Sequence, residues 1–411
     1  MSHINYLLYI SQFNKFLNII RNKIPNVPNL RFSTFTEEWQ QYPLEKIAYF
    51  YKGTGISKDQ LSEDGNECIL YGELYTKYKT ETITEIKSRT NISTKGLFFG
   101  KTNDVIIPAS GETPVDIATA CCVTKDDILF GGDLNIIRLH SDNGSFISYQ
   151  LNGKRKYDIA RIAQGASIVH LHNDDLKKLI IYKPNSLIEQ EIVVEVFTKL
   201  DKRIELQSKI IEDYSSLKKS IIDNFFNELT NSSLGEHIIE ITERNGYKNE
   251  YEVLSVSNKY GFIKQNEQFE DRIIASENKS NYKVVRKNTF AYNPTRINVG
   301  SIACMHYLDI GIVSPMYLCF STLKTLSPYY LEYYFLSKSF KLEMNKKLEG
   351  SVRMCLQIDA LKKIKLYIPS LEIQNKFVNK LSCFDKKIQK EKDILSLYKK
   401  QKAYLLQNMF I

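Results

Sequence analysis

Lys154, Arg155 and Lys156 sit together in this 411-residue chain, and Lys283, Arg286, Lys287, Tyr292, Asn293, Arg296 and Asn298 crowd together further along. The chemistry open to these residue types is recognition. Lysine and arginine neutralise phosphates, while arginine and asparagine hydrogen-bond guanine and adenine edges in bidentate fashion. Either group alone is also what a solvated basic face looks like. The formal net charge of +9 fits an acidic partner without requiring one.

Catalytic patterns fail on spacing. Gly96-Leu97-Phe98-Phe99-Gly100-Lys101-Thr102 is one residue short of a phosphate-binding loop, which needs four residues between its glycines. Gly53-Thr54-Gly55 has Lys58 where a dinucleotide loop needs its third glycine, and reads as a turn. Asn293-Pro294-Thr295-Arg296 lacks the second proline and the aromatic of an amino-methyltransferase motif. His170 and His172 could ligate a metal, but a lone pair of this kind is more often structural. The seven cysteines form no C-x-x-C pair and are odd in number, so buried free thiols are expected rather than disulfides or zinc. No catalytic residue and no metal ligand is therefore assigned.

The elements that must position the basic groups come from periodicity. Strand-like runs at Ile69–Tyr71, Val105–Pro108, Ile128–Phe130, Ile136–Leu139 and Phe146–Leu151 fill the first part, and Asn143-Gly144 reads as a hairpin turn. Tyr251–Ser257, Tyr282–Val285, Thr289–Tyr292 and Gly311–Cys319 read as strands in the second part, with helices at Tyr329–Leu336 and Leu342–Leu348.

After each part a heptad seam begins. Val193, Phe197, Leu200, Ile204, Ile211, Tyr214, Ile221 and Phe225 carry the first; Gln207 and Lys218 fill its gaps. Phe377, Leu381, Phe384, Ile388, Leu395, Tyr398, Leu405 and Met409 carry the second, with Glu391 and Lys402 at the same gaps. Each helix of about 40 residues would run on the order of 60 Å. Two matched seams most simply bury each other, with Lys218 and Lys402 setting register or partner.

The seams belong to a longer repeat. Asp174, Leu176, Lys177, Lys178, Tyr182 and Pro184 return as Asp359, Leu361, Lys362, Lys363, Tyr367 and Pro369. Gln190, Asp201, Lys202, Asn224 and Phe226 return as Gln374, Asp385, Lys386, Asn408 and Phe410. The frame is duplicated while the contents between the copies diverge.

This architecture resembles the specificity subunit of type I restriction–modification systems. The carriers are Trp39 with Leu44 and Ile47 at the opening, Gly165–Leu187 and Gly350–Leu371 closing each variable half, and the helix starts at Gln190 and Gln374. Asp126–Phe130 and Asn288–Asn293 also look like the family's central strand. The second half departs from the pattern, with Leu234-Gly235-Glu236-His237 near the place of the opening tryptophan.

The resemblance implies a mixed α/β (α+β) fold with pseudo-twofold character: two target-recognition domains alternating with two long helices paired as an antiparallel coiled coil. The implied division is an extension at 1–26, a first domain at 27–184, a first helix at 185–230, a second domain at 231–369 and a second helix at 370–411. It implies DNA with a split recognition site, two methyltransferase subunits and two motor-nuclease subunits as partners. Adenine N6 methylation and DNA cleavage would belong to the complex, with S-adenosylmethionine, ATP and magnesium bound by partners. A coiled-coil scaffold and a stand-alone methyltransferase or nuclease are the competing readings.

No run of 18 or more apolar residues suggests a membrane span, and the first 23 residues form an amphipathic pattern without signal-peptide character. A cytoplasmic location is expected.

Overall fold

The computed structural model describes residues 26–78, 80–165, 167–227, 230–246, 251–265, 278–350 and 354–411. The amphipathic segment at 1–23 lies outside these residues. Two compact units form: Met1–Ser208 with Asp393–Ile411, and Lys209–Lys392. The helices used below are α1 Gly144–Asn152, α2 Lys156–Ile162, α3 Leu187–Phe225, α4 Pro328–Phe335 and α5 Leu371–Asn408. No glycine or proline interrupts α3 or α5, so nothing breaks either backbone ladder over 39 and 38 residues. Among the described residues no helix is long and apolar enough to cross a membrane.

The two units repeat one topology that the diverged sequences conceal. In the first, a sheet runs in the order Ala48–Lys52, Leu134–Leu139, Asp104–Pro108, Cys121–Val123, Thr82–Ile83. In the second, the order Ile238–Ile241, Leu318–Thr322, Thr289–Tyr292, Ile302–Cys304 follows the same path. Each unit adds another sheet built around a parallel pair, Asn66–Ile69 with Ile128–Phe130 and Val253–Ser257 with Ile310–Val313. Leu44 N–H donates to the Leu179 carbonyl, and Leu234 N–H donates to that of Ile364, at matching places in the two copies. Leu234 thus occupies the role of Leu44.

Two local expectations are corrected. Asn143-Gly144 is not a hairpin turn. Asn143 is the N-cap of α1, its side chain accepting from the Phe146 N–H at 3.1 Å, and Phe146–Leu151 is helical rather than a strand. The helix is buried all round, so its sequence carries no polar face to betray the 3.6-residue period. Its polar members are satisfied internally: Ser148 donates to the Glu81 carbonyl, and Gln150 exchanges two bonds with the Tyr182 backbone. Gly311–Cys319 is not one strand but two, Ile310–Val313 and Leu318–Thr322, because Pro315 interrupts the run.

The helices pair antiparallel within each unit. In the first unit Phe197 stacks on Phe410 and Asp201 meets Lys402, so partners descend as residue numbers rise. In the second unit Lys218 meets Asp385 and Phe225 stacks on Phe377 at 3.9 Å, in the same sense. Val193, Phe197, Leu200, Ile204, Tyr398, Leu405 and Met409 join one core cluster. Ile221, Phe225, Phe377, Leu381 and Phe384 join the other, and Tyr214 meets the Phe384 ring edge-on. Ile388 is buried, and Ile211 and Leu395 are half-buried.

The two lysines at the polar breaks are ion-paired across the two helices. Lys402 pairs with Asp201 at 2.5 Å, and Tyr149 donates to the same carboxylate at 2.7 Å. Lys218 pairs with Asp385, to which Tyr333 donates at 2.7 Å. Each lysine also lies over the tyrosine ring, at 5.7 Å and 5.1 Å. Tyr149, Asp201 and Lys402 therefore form in one unit the triad that Tyr333, Asp385 and Lys218 form in the other. Each copy's lysine reaches the other copy's aspartate. The glutamines at the helix starts also match. Gln190 accepts from the Asn143 N–H at 2.9 Å and donates to the Pro184 carbonyl; Gln374 accepts from the Ser327 N–H at 2.8 Å and donates to that of Pro369. Each thereby ties α3 or α5 to the N-cap of α1 or α4.

Candidate nucleic-acid interface

In the second unit the hairpin loop between Thr289–Tyr292 and Ile302–Cys304 carries exposed basic and amide donors. Tyr292 is fully buried and donates to the Leu356 carbonyl at 3.1 Å. Asn293 is buried, and its side chain accepts from the Thr295 N–H at 3.1 Å and hydroxyl at 2.9 Å. These two residues were expected to touch DNA; their burial makes them the scaffold of the loop instead. The Arg296 carbonyl receives the Val299 and Ser301 N–H groups, and Gly300 takes φ = 90°, a conformation that favours glycine. The result is a braced loop that presents Arg296 and Asn298 outward, both exposed. Neither makes a side-chain hydrogen bond among the described residues, and both keep their full donor capacity for a ligand.

Lys287 is likewise exposed and unpaired among the described residues. Lys283 is committed to the Tyr317 carbonyl at 2.8 Å. Arg286 makes two bonds to Glu243, at 2.5 and 2.8 Å, with both side chains about half exposed (51% and 50%). Such a surface pair holds its arginine weakly, so a phosphate can compete for it.

In the first-unit cluster the arginine is structural. Lys154, Arg155 and Lys156 stand at the turn between α1 and α2, all half-buried. Arg155 binds Asp158 at 2.9 Å, donates to the Ile411 carbonyl at 2.9 Å and covers the Tyr182 ring at 5.2 Å. It therefore fastens the end of the second helix segment, a role that a short basic run cannot disclose.

The loop that corresponds by topology to the Arg296 hairpin lies between Asp104–Pro108 and Cys121–Val123, and it exposes Glu112 and Asp116. The two units thus display opposite charge at the same place in the fold. Sequence reasoning missed a small basic convergence elsewhere in the first unit. Arg89 and Lys125 both reach Glu67 at 3.3 Å, leaving one cation in excess on an exposed sheet face. The signal was the strand pairing of Glu67 with Arg89, which a linear scan for basic runs does not test. Arg138 is held by Asp104 through bonds of 2.8 and 2.6 Å and lies against the Tyr51 and Phe98 rings.

The near-miss phosphate loop has no anion cradle. The Lys101 N–H goes to Asp104 at 2.8 Å and the Phe98 N–H to the Thr54 hydroxyl at 2.7 Å. The His170 and His172 rings stack at 6.4 Å. Of the seven free cysteines five are buried, as expected, whereas Cys355 is half-buried and Cys383 exposed.

Residues 228–397 match the family model of the type I restriction modification DNA specificity domain. No curated protein matches the sequence. Among solved structures the chain is similar to the type I restriction–modification S subunit from M. genitalium, with TM-score 0.56, 17% identity, and coverage of 94% of this chain and 99% of that one. A second similar structure, solved for complex assembly and conformational transition of the type I R-M system, has TM-score 0.57, 14% identity, and coverage of 90% and 96%. The chain therefore carries a type I restriction modification DNA specificity domain over residues 228–397, set in a fold that it shares with the S subunit of such systems along almost its whole length.

Proposed function

We infer that the chain is the DNA-reading subunit of a type I restriction–modification complex, with each unit recognising one half of a split double-stranded site. The observation that carries this reading is the contrast between frame and loops. Repeated residues build the same tyrosine–aspartate–lysine triad and the same glutamine clamp in both units. The loops held by that frame differ in charge, Arg296 and Asn298 against Glu112 and Asp116. A constant frame suits invariant enzyme partners, and variable loops suit a target with two unlike halves.

In this reading the paired helices dock two methyltransferase subunits and two motor-nuclease subunits. The partners bind S-adenosylmethionine, ATP and magnesium, and modify adenine N6. The seam side chains already bury one another within each unit, so docking would use the outward faces of the helices. Deleting the gene should erase a bipartite adenine-methylation pattern from long-read methylation profiles. An unchanged pattern, with no second copy of the gene present, rejects the reading.

Arg296→Ala should cost about 1–3 kcal/mol of binding and relax recognition in one half-site only. Competition binding with duplexes altered in either half tests this, and equal losses in both halves contradict the modular assignment. Lys287→Ala should instead weaken all sequences alike and reduce the salt dependence by about one counterion.

A further inference from the structure

Cys304, His306 and Glu332 bring a thiol, an imidazole and a carboxylate to one point in the second unit. One donor atom from each lies within 4.8 Å of the others. Cys304 ends the strand Ile302–Cys304, and His306 follows two residues later. Glu332 comes from α4, where Tyr329 stands one turn earlier on the same face. The His306 ring is clamped from two sides: Tyr329 stacks on it at 4.9 Å with the planes 7° apart, and Glu332 meets its Nε2 at 2.8 Å. Its Nδ1 is buried and has no hydrogen-bond partner. Glu332 faces Nε2, so Nε2 is the ring nitrogen placed to serve a metal shared with the carboxylate.

We propose that Cys304, His306 and Glu332 form a transition-metal site, with zinc as its natural occupant. The thiol and imidazole select zinc over calcium or magnesium, which take oxygen ligands. Around a tetrahedral zinc with bonds of about 2.0–2.3 Å, donors stand roughly 3.3–3.8 Å apart. The His306–Glu332 pair, at 2.8 Å, opens to reach that spacing, while the widest pair, within 4.8 Å, closes by about 1 Å. A water completes the fourth position. The ion ties the segment between Cys304 and Ile310 to α4, a structural task separate from DNA reading. The sequence signal is Cys304-x-His306 with a distant glutamate, which a search for C-x-x-C pairs passes over.

Burial pushes the Cys304 thiol up, and the Glu332 charge adds to this. Zinc must therefore displace the thiol proton, and binding releases it to solvent and tightens as pH rises.

Cobalt reports the thiolate directly. Chelator-treated full-length protein given one equivalent of Co2+ should develop a thiolate-to-cobalt charge-transfer band in the near ultraviolet, and Zn2+ should displace it. Cys304→Ser should abolish the band, whereas Cys355→Ser and Cys383→Ser should retain it. Should Cys304→Ser fail to fold, Glu332→Gln at a half-buried position decides, with an expected affinity loss of about tenfold or more. No band in the native chain, a band that survives Cys304→Ser, or an unchanged affinity in Glu332→Gln overturns the site. None of these readouts involves DNA, so they stand or fall apart from the function proposed above.

Discussion

Lys402→Met should destabilise the first unit by about 3–5 kcal/mol, the range for removing one partner of a buried ion pair. Lys402 is 12% exposed and lies between Glu81, also 12% exposed, and Asp201, 8% exposed. Methionine keeps the stem and removes the charge, leaving two carboxylates facing each other in a dry site. Burial works to lower the Lys402 ammonium, but Glu81 and Asp201 outweigh it and hold it above its ordinary 10.5. While Glu81 and Asp201 are ionised its contribution is therefore complete up to pH 10.5, and it is lost as pH rises through the raised folded value. The related pair in the second unit, Lys218 with Asp385, has no third ion-pair partner among the described residues, and Asp385 is 47% exposed. Lys218→Met should cost only about 1 kcal/mol.

Glu81 gives the opposite sign. Burial pushes its carboxyl above the ordinary 4.5; Lys402 pulls it down by charge and hydrogen bond, but burial, with a smaller push from Asp201, prevails. Between 4.5 and the raised value the folded chain binds a proton that the unfolded chain does not, so this group's contribution favours folding as pH falls through that window. Glu81→Gln should therefore be neutral or mildly stabilising at pH 8, and the gain of the wild type over this variant should grow toward acid. Trp39 is the chain's one tryptophan and lies in the first unit's core, so its fluorescence follows the relevant transition in denaturant. Equal losses for Lys402→Met and Glu81→Gln at pH 8 would remove the basis for this account.

Phe410→Ala should cost the first unit about 3–5 kcal/mol, as expected when a buried phenylalanine leaves a cavity. Phe410 is 1% exposed. Its ring meets Phe146 at 5.2 Å, Phe197 at 5.7 Å and Trp39 at 6.3 Å. The chain end is held in place, since Arg155 donates to the Ile411 carbonyl and Leu30 N–H to that of Asn408 at 2.8 Å. Collapse of a segment tied down in this way cannot close the cavity. The repeat places Phe226 in the same role in the second unit, with rings of Tyr330 and Tyr334 at 5.1 Å and Phe377 at 5.5 Å. Phe226→Ala should cause a similar loss there while leaving the Trp39 transition near its wild-type midpoint. A Trp39 transition shifted equally by both variants would falsify the assignment of each residue to its own unit.

The helices were legible in the sequence because their signal is local. A seven-residue period without proline or glycine persists through about 40 positions, and it reappears at a constant offset. The strands Thr289–Tyr292 and Ile128–Phe130 were legible for a similar reason, being short apolar runs bounded by turn residues. Helix α1 was not, because full burial removed the polar face that marks a helix. The basic groups were the least legible. Lys154, Arg155 and Lys156 are adjacent in sequence, but Arg155 is consumed by a carbonyl 256 positions away. Tyr292 and Asn293 have recognition chemistry by type, but the hairpin that exposes Arg296 needs them inside.

By itself the sequence determined that the chain is a duplicated frame, with two long seams and polar breaks at Lys218 and Lys402. Period and offset are properties of neighbours along the chain and survive without a fold. Only the tertiary structure decided that the helices run antiparallel, that each lysine answers the aspartate of the other copy, and that both variable regions share one sheet topology. It also decided which cations remain free. The pairing of a charge is set by what folding brings within about 4 Å of it, and that distance has no counterpart in sequence spacing.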